Sequence, residues 1–475
     1  MQRQLGTIVL PPDPVAVMNS RIEPYTIDEQ ESILEDETSA PFTGFGNILQ
    51  DQNLNDLFSG GQQGFTFTAP VIGPNPYPPT LAWDFTDGSG LPSWITASGG
   101  ANGTYFNAAG LLMNGIAPRF DYNPVTHVCN GLLIEEARTN LVPNSTPLTL
   151  TWTFGNASFG GSTTGPDGLQ SLKLVVGDGT LNRYSLYQSY TATAAAYTNT
   201  IYAKAGVYTW AGLGFGTGAN LDGAYFNLST GAIGTIAAGT TASIQNIGNG
   251  IYRLSVTRTL SAGATFLQME PHSADNQAGW TSDGVNGVYF GFAQAELGSF
   301  PTSYIPTTSA SVTRSADVLT GSSALLNSTQ GSVLAQFLSS NPNDKTVFSA
   351  SDGSFTNRFE ISNTASGTAM TFVGVSSGIL FANNAYVSGL TLGSFIREML
   401  AYKVGIPAYG AANGGGVSDA GSGHYVVPSL STISFGSRSA FSDQYLNGWI
   451  QQIAFYNLAL PSSIVQSKSI VGTPL

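Results

Sequence analysis

Residues 249–257, with the sequence NGIYRLSVT, show the pattern that decides the fold. The opening Asn-Gly pair is a strong signal for a tight turn between two strands. After it the chain alternates: Tyr252, Leu254 and Val256 fall on one face of an extended segment, and the polar residues beside them fall on the other. This period of two is typical of an antiparallel strand with one buried face.

The same pattern extends in both directions along most of the chain. From residue 81 onward, short apolar runs such as TIYAKA at 200–205 are separated by Gly, Asn, Asp and Pro. No helical periodicity lies between these runs, so a parallel sheet with crossover helices is not expected. The sequence therefore predicts an all-β protein made of tandem antiparallel β-sandwiches.

The N-terminal part of the chain has a different composition. Acidic residues are concentrated near 28–37, a GGQQG spacer follows at 60–64, and residues 70–79 are rich in proline. Such a segment has few residues with which to build a core. We expect residues 1–78 to form an extended arm that orders against another protein, with a disordered acidic tail as the alternative.

The charge and cysteine content exclude several classes of protein. Charged residues make up only 9% of the chain and the net charge is −13, so nucleic acid is not an expected partner. No apolar run is long enough to insert into a membrane. Cys129 is the single cysteine, which excludes an intrachain disulfide framework.

Three stretches of the sequence resemble virion proteins of tailed bacteriophages. They are residues 81–85 (LAWDF) with 119–122 (RFDY) and 131–141 (GLLIEEARTNL); residues 225–231 (YFNLSTG), 250–255 (GIYRLS), 294–296 (QAE) and 298–307 (GSFPTSYIPT); and residues 446–450 (LNGWI) with 453–456 (IAFY). The first resembles a module of fibre and appendage proteins. The second resembles a jelly roll of the carbohydrate-binding-module type, and the third the end of a laminin-G or concanavalin-A-like sandwich.

The change in composition near residue 79 and this resemblance, which covers most of residues 81–475, together predict four domains. Residues 1–78 would be the arm that anchors the chain to the virion, and residues 79–142 a β-rich connecting module. Residues 143–314 would form the jelly roll and residues 315–475 the concanavalin-A-like sandwich. A Ser/Thr-rich linker at 307–313 fits the last of these boundaries.

The resemblance also implies a function and a set of partners. We expect a tail fibre or surface appendage that binds a glycan on the host cell surface and is not an enzyme. Its partners would be further copies of itself, as a homotrimer, and another virion protein through the arm. No secretory signal is evident at the N-terminus, so we expect synthesis in the host bacterial cytoplasm and a final location in the virion.

Two other functions stay open at this stage. The chain could be a capsid or tail decoration or joining protein without a receptor. A polysaccharide depolymerase is less favoured, because the regular repeats of a long parallel β-helix are absent from the sequence.

One loop concentrates the side chains that could contact a sugar. It runs from Glu270 through His272, Asp275 and Trp280 to Asp283. An aromatic ring can stack on a sugar face, while carboxylates and an imidazole can bind hydroxyl groups. We therefore predict Trp280, His272, Asp275 and Asp283 as glycan-binding residues, with a long inter-strand loop as the alternative. The other aromatic candidates in the middle domain are Tyr184, Tyr187, Trp210 and Tyr225.

No cofactor is predicted. Calcium is possible at Asp275, Asp283, Asp344 and Asp352, although none has the spacing of a dedicated calcium loop and solvated turns are the better interpretation. The three histidines do not have zinc-site spacing. Residues 374–378 (GVSSG) match the letters of a nucleophile elbow, but the following residues do not indicate the helix that this motif needs.

Overall fold

The structure of the chain is a computed structural model. It describes residues 77–475 except 147, 150, 217–220, 278, 340, 342, 344, 365–367, 420–424, 427 and 439–442. The predicted arm, residues 1–78, lies almost entirely outside the described residues. The predicted all-β class of tandem antiparallel sandwiches is confirmed, with one α-helix, α1 (Ser462–Lys468), in the described part of the chain.

The terminal sandwich consists of an eight-stranded and a seven-stranded sheet, with strands numbered β1–β33 in chain order. The first contains, in spatial order, β31 (Ser418–Asp419), β30 (Tyr409–Ala412), β29 (Phe395–Lys403), β24 (Gln330–Ser339), β33 (Gly448–Tyr456), β6 (Cys129–Ile134) and β5 (Arg119–Tyr122), with β1 (Leu81–Asp84) also paired to β33. The second contains β2 (Ile95–Gly99), β23 (Asp317–Ser322), β32 (Thr432–Phe435), β25 (Lys345–Ser351), β26 (Arg358–Asn363), β27 (Ala369–Ser376) and β28 (Ile379–Ser388). A 3₁₀ helix spans Ser323–Leu325.

The middle sandwich consists of two six-stranded sheets. One contains β17 (Thr240–Gly248), β18 (Ile251–Leu260), β13 (Ala195–Ala205), β21 (Gly287–Leu297), β10 (Leu172–Gly177) and β9 (Ala157–Thr163). The other contains β16 (Ala232–Ile236), β15 (Asp222–Asn227), β14 (Trp210–Phe215), β19 (Gly263–His272), β12 (Ser185–Ala192) and β8 (Thr153–Gly155). Three short pairs complete the strands: β3 (Gly103–Phe106) with β4 (Leu112–Gly115), β7 (Arg138–Asn140) with β22 (Val312–Arg314), and β11 (Leu181–Asn182) with β20 (Trp280–Thr281).

The stretch that predicts the fold forms a central part of the middle sandwich. Asn249 and Gly250 both have positive φ, of 54° and 71°, and form the turn between β17 and β18. Leu254 and Val256 are fully buried between the two six-stranded sheets, while β18 pairs antiparallel with β13 and β17. Leu254 and Val256 are thus buried as predicted, whereas Tyr252 is half-buried and Ser255, on the predicted polar face, is buried as well.

The terminal sandwich is assembled from two separated parts of the chain. β1, β5 and β6 lie in the same sheet as strands from residues 330–456, and β2 lies in the opposite sheet beside β23. The segment predicted as a connecting module, residues 79–142, thus supplies four strands to the sandwich predicted for residues 315–475. The reason is burial: Leu132 and Ile134 of β6 lie in the core with Phe348 and Phe455. The predicted boundaries themselves stay a prediction.

The middle sandwich is therefore an insertion within the terminal one. The chain leaves the terminal sandwich after β7 and returns at β22, and these two strands pair with Asn140 opposite Val312. The insertion thus begins and ends at neighbouring positions. Such an arrangement allows a domain to be inserted without disturbing its host.

A buried ionic cluster lies next to this junction. Arg119 contacts Glu135 at 2.8 Å and also Asp317, and Arg314 contacts Glu135 at 3.1 Å. Ser303 donates from its backbone N–H and its hydroxyl to Glu135, both at 2.6 Å. Burial disfavours ionised Glu135, but Arg314, Arg119 and the Ser303 hydrogen bonds outweigh it and lower its pKa to about 2. The stretches that carry the phage resemblance thus contribute structural side chains here.

Candidate functional site

The outer surface of the second six-stranded sheet carries an unusual set of buried polar side chains. Along β19, Leu267 and Met269 point into the core, so Gln268, Glu270 and His272 point to the opposite face. All three side chains are nevertheless almost completely buried. We call this surface the polar–aromatic face and define it by residues Tyr187, Trp210, Tyr225, Phe266, Gln268, Glu270 and His272.

Glu270 is at the centre of the polar–aromatic face. Arg183, just before β12, contacts one carboxylate oxygen at 2.6 Å, and the amide of Gln268 donates to the same oxygen at 2.6 Å. The other oxygen lies 3.0 Å from Nε2 of His272. Because buried charges need partners, these contacts offset the cost of removing the carboxylate from water.

Aromatic rings surround this cluster. Tyr225 packs against the His272 ring at 4.9 Å between centroids, and burial raises the pKa of its phenol, with the Glu270 charge adding to the effect. Trp210 pairs with His272 across β14 and β19 and is half-buried. Tyr187 is also half-buried and packs edge-on against Phe266 at 5.5 Å. Rings placed in this way can present a flat apolar surface to a ligand.

Glycines make room for these side chains. A Cβ at Gly212 would lie 3.0 Å from Nε2 of His272 and 2.9 Å from the Leu221 side chain. A Cβ at Gly234 would lie 2.6 Å from the Trp210 ring and would also clash with the Asp275 carboxylate. The absence of a side chain at these two positions therefore lets Trp210, His272 and Asp275 lie close together.

Two polar atoms of the cluster lack partners. Nδ1 of His272 and Oε1 of Gln268 are buried and have no hydrogen-bond partner among the described protein groups. A buried polar atom without a partner costs roughly 1–3 kcal/mol. An unsatisfied buried group of this kind calls for an explanation, such as an ordered water or ion.

Trp280 does not have the place that the sequence predicts for it. It is only 7% exposed and packs edge-on against Tyr184 and Tyr208, with centroids 5.2 and 4.5 Å away. The Tyr184 hydroxyl also donates to the Trp280 carbonyl at 2.8 Å. Trp280 and Tyr184 are thus packing residues, because β20 pairs with β11 and holds the indole inside.

Of the other predicted residues, the fold keeps His272 and Asp275 close together and places Asp283 in a separate turn. His272 belongs to the buried cluster, and Asp275 is exposed beside it, accepting from the Thr235 backbone at 2.9 Å. Asp283 is also exposed, and its carboxylate accepts from the backbone of Val285 and Asn286 in a turn. These turn hydrogen bonds lower the pKa of Asp283 to about 2.

Sequence reasoning missed Arg183 and Gln268. Arg183 is far from Glu270 in sequence, and no local motif marks it. Gln268 has a weak signal, because it continues the alternation of Glu270 and His272 along one strand. A search for polar residues at alternate positions within an apolar strand would have found it.

The structure gives no support for a metal centre in the ranges it describes. No group of three or more His, Cys, Asp or Glu residues there could hold a metal ion. Asp352 accepts from Ser354 and Asn357 within a turn, whereas Asp344 lies outside the described residues. No helix in the described part is both long and apolar enough to cross a bilayer.

The GVSSG stretch forms a hairpin turn. Ser376 ends β27 and Ile379 begins β28, and Ser377 and Gly378 between them have positive φ values of 50° and 79°. Two positive φ values are typical of a two-residue hairpin. The interpretation as a turn between strands is confirmed, and a nucleophile elbow, which requires a strand followed by a helix, is not present here.

Comparisons with known proteins give only remote similarities. No protein-family model matches the chain, and no curated protein matches it at a significant level. Among solved structures, it is similar to the CBM40 of a Ruminococcus gnavus IT-sialidase, with 12% identity, TM-score 0.27, and coverage of 31% of this chain and 85% of that one. A leech intramolecular trans-sialidase gives 17% identity, TM-score 0.27, and coverage of 32% and 24%. A Trypanosoma rangeli sialidase gives 10% identity and a TM-score of 0.27, with coverage of 67% of this chain and 62% of that one. Similarities at these TM-scores support no conclusion about this chain.

Proposed function

We propose that this protein is a non-enzymatic phage virion appendage that binds a glycan on the host cell surface through the polar–aromatic face. The observation that supports glycan binding best is the combination of half-buried rings and fixed polar groups on one sheet surface. A sugar presents apolar C–H faces to rings and hydroxyl groups to polar atoms. Sites of this kind combine an apolar lining with a few precisely placed polar groups.

The hydrogen bonds of the two nearest carboxylates favour binding over hydrolysis. A glycosidase needs two carboxyl groups that exchange a proton or attack the sugar. Glu270 is held on both oxygens by Arg183, Gln268 and His272, and Asp275 accepts from the backbone and hydroxyl of Thr235. Groups held in this way position a ligand more readily than they transfer protons.

The virion location of this proposal comes from the sequence resemblance. The stretches at 131–141 and 298–307 meet at the buried cluster around Glu135 and Ser303. Those residues fix the inserted sandwich on its host domain. A decoration protein without a receptor remains the competing proposal.

The proposal is tested by removing a ring from the polar–aromatic face. Trp210→Ala and, separately, Tyr187→Ala in the full-length protein should each weaken binding to host cells by about tenfold, because central aromatic contacts often contribute 1–2 kcal/mol or more. Binding would be measured by cell pull-down and on a glycan array, with circular dichroism to compare the folded fractions.

Phe355→Ala is the matched control. Phe355 is 52% exposed in the terminal sandwich, near Arg358 and Arg438, whereas the polar–aromatic face belongs to the middle sandwich. This variant should bind as the unmodified protein does. If the unmodified protein assembles onto particles but binds neither cells nor any glycan, the decoration role replaces the proposed one.

A further inference from the structure

We infer that the polar–aromatic face favours neutral or ammonium-bearing glycans and discriminates against glycans that carry a carboxylate. This inference rests on the proposed glycan-binding function and specifies the ligand class of the same site. It follows from the charges around the cluster and from which of its polar atoms already have hydrogen-bond partners.

The positive charge of Arg183 is already neutralised by Glu270. Arg183 is the guanidinium that contacts the cluster, and it lies 2.6 Å from Glu270. An acidic sugar needs a free guanidinium or ammonium group, since such charge-assisted pairs supply most of the recognition of a carboxylate. Asp275, exposed at the rim, adds a second negative charge. The local charge therefore opposes an anionic ligand.

The unpaired atoms are acceptors. The Glu270 carboxylate can only accept, so Nε2 of His272 carries the hydrogen in their 3.0 Å contact. In the tautomer that has its hydrogen on Nε2, Nδ1 is a hydrogen-bond acceptor. The same reasoning applies to Gln268, whose amide nitrogen donates to Glu270 and whose Oε1 is the acceptor left without a partner.

These two acceptors flank Glu270 on one strand. Gln268, Glu270 and His272 occupy alternate positions of β19, so their side chains lie side by side on the polar–aromatic face. Both atoms have almost no accessible surface, so they act on a ligand through the negative partial charge that they place beneath the rings. That charge favours a neutral or ammonium-bearing ligand over a carboxylate.

The test compares three immobilised probes with the full-length protein. The probes are N-acetyllactosamine, its sialylated form and an oligomer of glucosamine, measured by surface plasmon resonance at equal density. We expect binding to the neutral or amino probe at least about tenfold tighter than to the sialylated probe, since the juxtaposition of like charges costs about that factor or more.

A charge variant sharpens the test. Glu270→Gln releases Arg183 and should raise the affinity for the sialylated probe by about tenfold. Asp222→Asn is the control, because it removes one negative charge at a position that is 60% exposed and paired with Arg258 at the edge of the sandwich. That control should leave the preference among the three probes unchanged.

The outcomes separate this inference from the proposed function. Tighter binding of the unmodified protein to the sialylated probe overturns the ligand class but leaves glycan binding in place. Binding to none of the probes, to host cells or to a broad array removes both. If Glu270→Gln does not fold, the ratio measured for the unmodified protein decides the question by itself.

Discussion

At the scale of single residues, Glu398 is a carboxyl group in an apolar core. It lies on β29 between Ile396 and Leu400, on the side that faces the seven-stranded sheet. Tyr386 donates to Oε2 at 2.8 Å, while Oε1 has no partner within the part of the chain that is described. Burial raises the pKa of Glu398 to about 8, which the Tyr386 hydrogen bond only partly opposes.

This pKa makes the stability of the terminal sandwich depend on pH. The folded state keeps the proton up to about pH 8, whereas the unfolded chain loses it near pH 4.5. The contribution of this group to the free energy of unfolding is therefore fully present below pH 4.5, and it falls as the pH rises to about 8. The loss is on the order of a few kcal/mol.

Urea unfolding between pH 4 and pH 9 tests this prediction. Glu398→Gln should abolish most of the decline, because the amide stays neutral at every pH. Tyr386→Phe is the matched control, since it removes the hydrogen bond and leaves the acid, so the decline should persist. An equal decline in the Glu398→Gln variant would show that another group is responsible.

At the scale of strands, the terminal sandwich depends on the pieces that precede the insertion. Residues 315–475 alone lack β1, β5 and β6 of one sheet and β2 of the other. Leu132 and Ile134 would leave a gap beside Phe348, and large voids in a core cost several kcal/mol. We therefore expect a fragment of residues 315–475 not to fold cooperatively.

Removing the insertion should have a smaller effect. Asn140 and Val312 are paired neighbours at the ends of β7 and β22, so a two-residue turn can replace residues 141–311. The shortened chain of residues 79–475 should melt cooperatively, although weakened by the loss of Ser303 beside Glu135. Thermal melts followed by circular dichroism would compare the fragment 315–475 with the chain that lacks residues 141–311. Cooperative melting of residues 315–475 alone would contradict the prediction.

At the scale of the whole molecule, we expect a homotrimer that gains avidity from repeated weak sites. Linked copies can raise the overall affinity by roughly 10²–10⁴ without a new contact. We expect the chains to associate through residues 1–76, because a segment with few core-forming residues can order by packing against identical neighbours. Light scattering should give three times the chain mass for the full length and a lower mass for residues 77–475. A monomeric full-length protein at every accessible concentration would exclude the trimer.

The sequence by itself determined the fold class and the individual strands. Residues 249–257 predict a turn and a half-buried strand, because both depend on neighbouring residues only: Asn-Gly tolerates positive φ, and alternation decides which face is buried. The apolar core and the exclusion of a nucleophile elbow at 374–378 follow from similarly local patterns.

Only the tertiary structure decided which distant segments meet. Nothing in the sequences of β1 and β6 shows that they pair with β33, more than 300 residues later, because pairing depends on the complementarity of distant strands. The sequence favours Trp280 over Trp210 as a sugar-binding residue, yet β20 encloses Trp280 and β14 leaves Trp210 half-exposed. Arg183 meets Glu270 for the same reason: a sheet brings together side chains from strands that the sequence keeps apart.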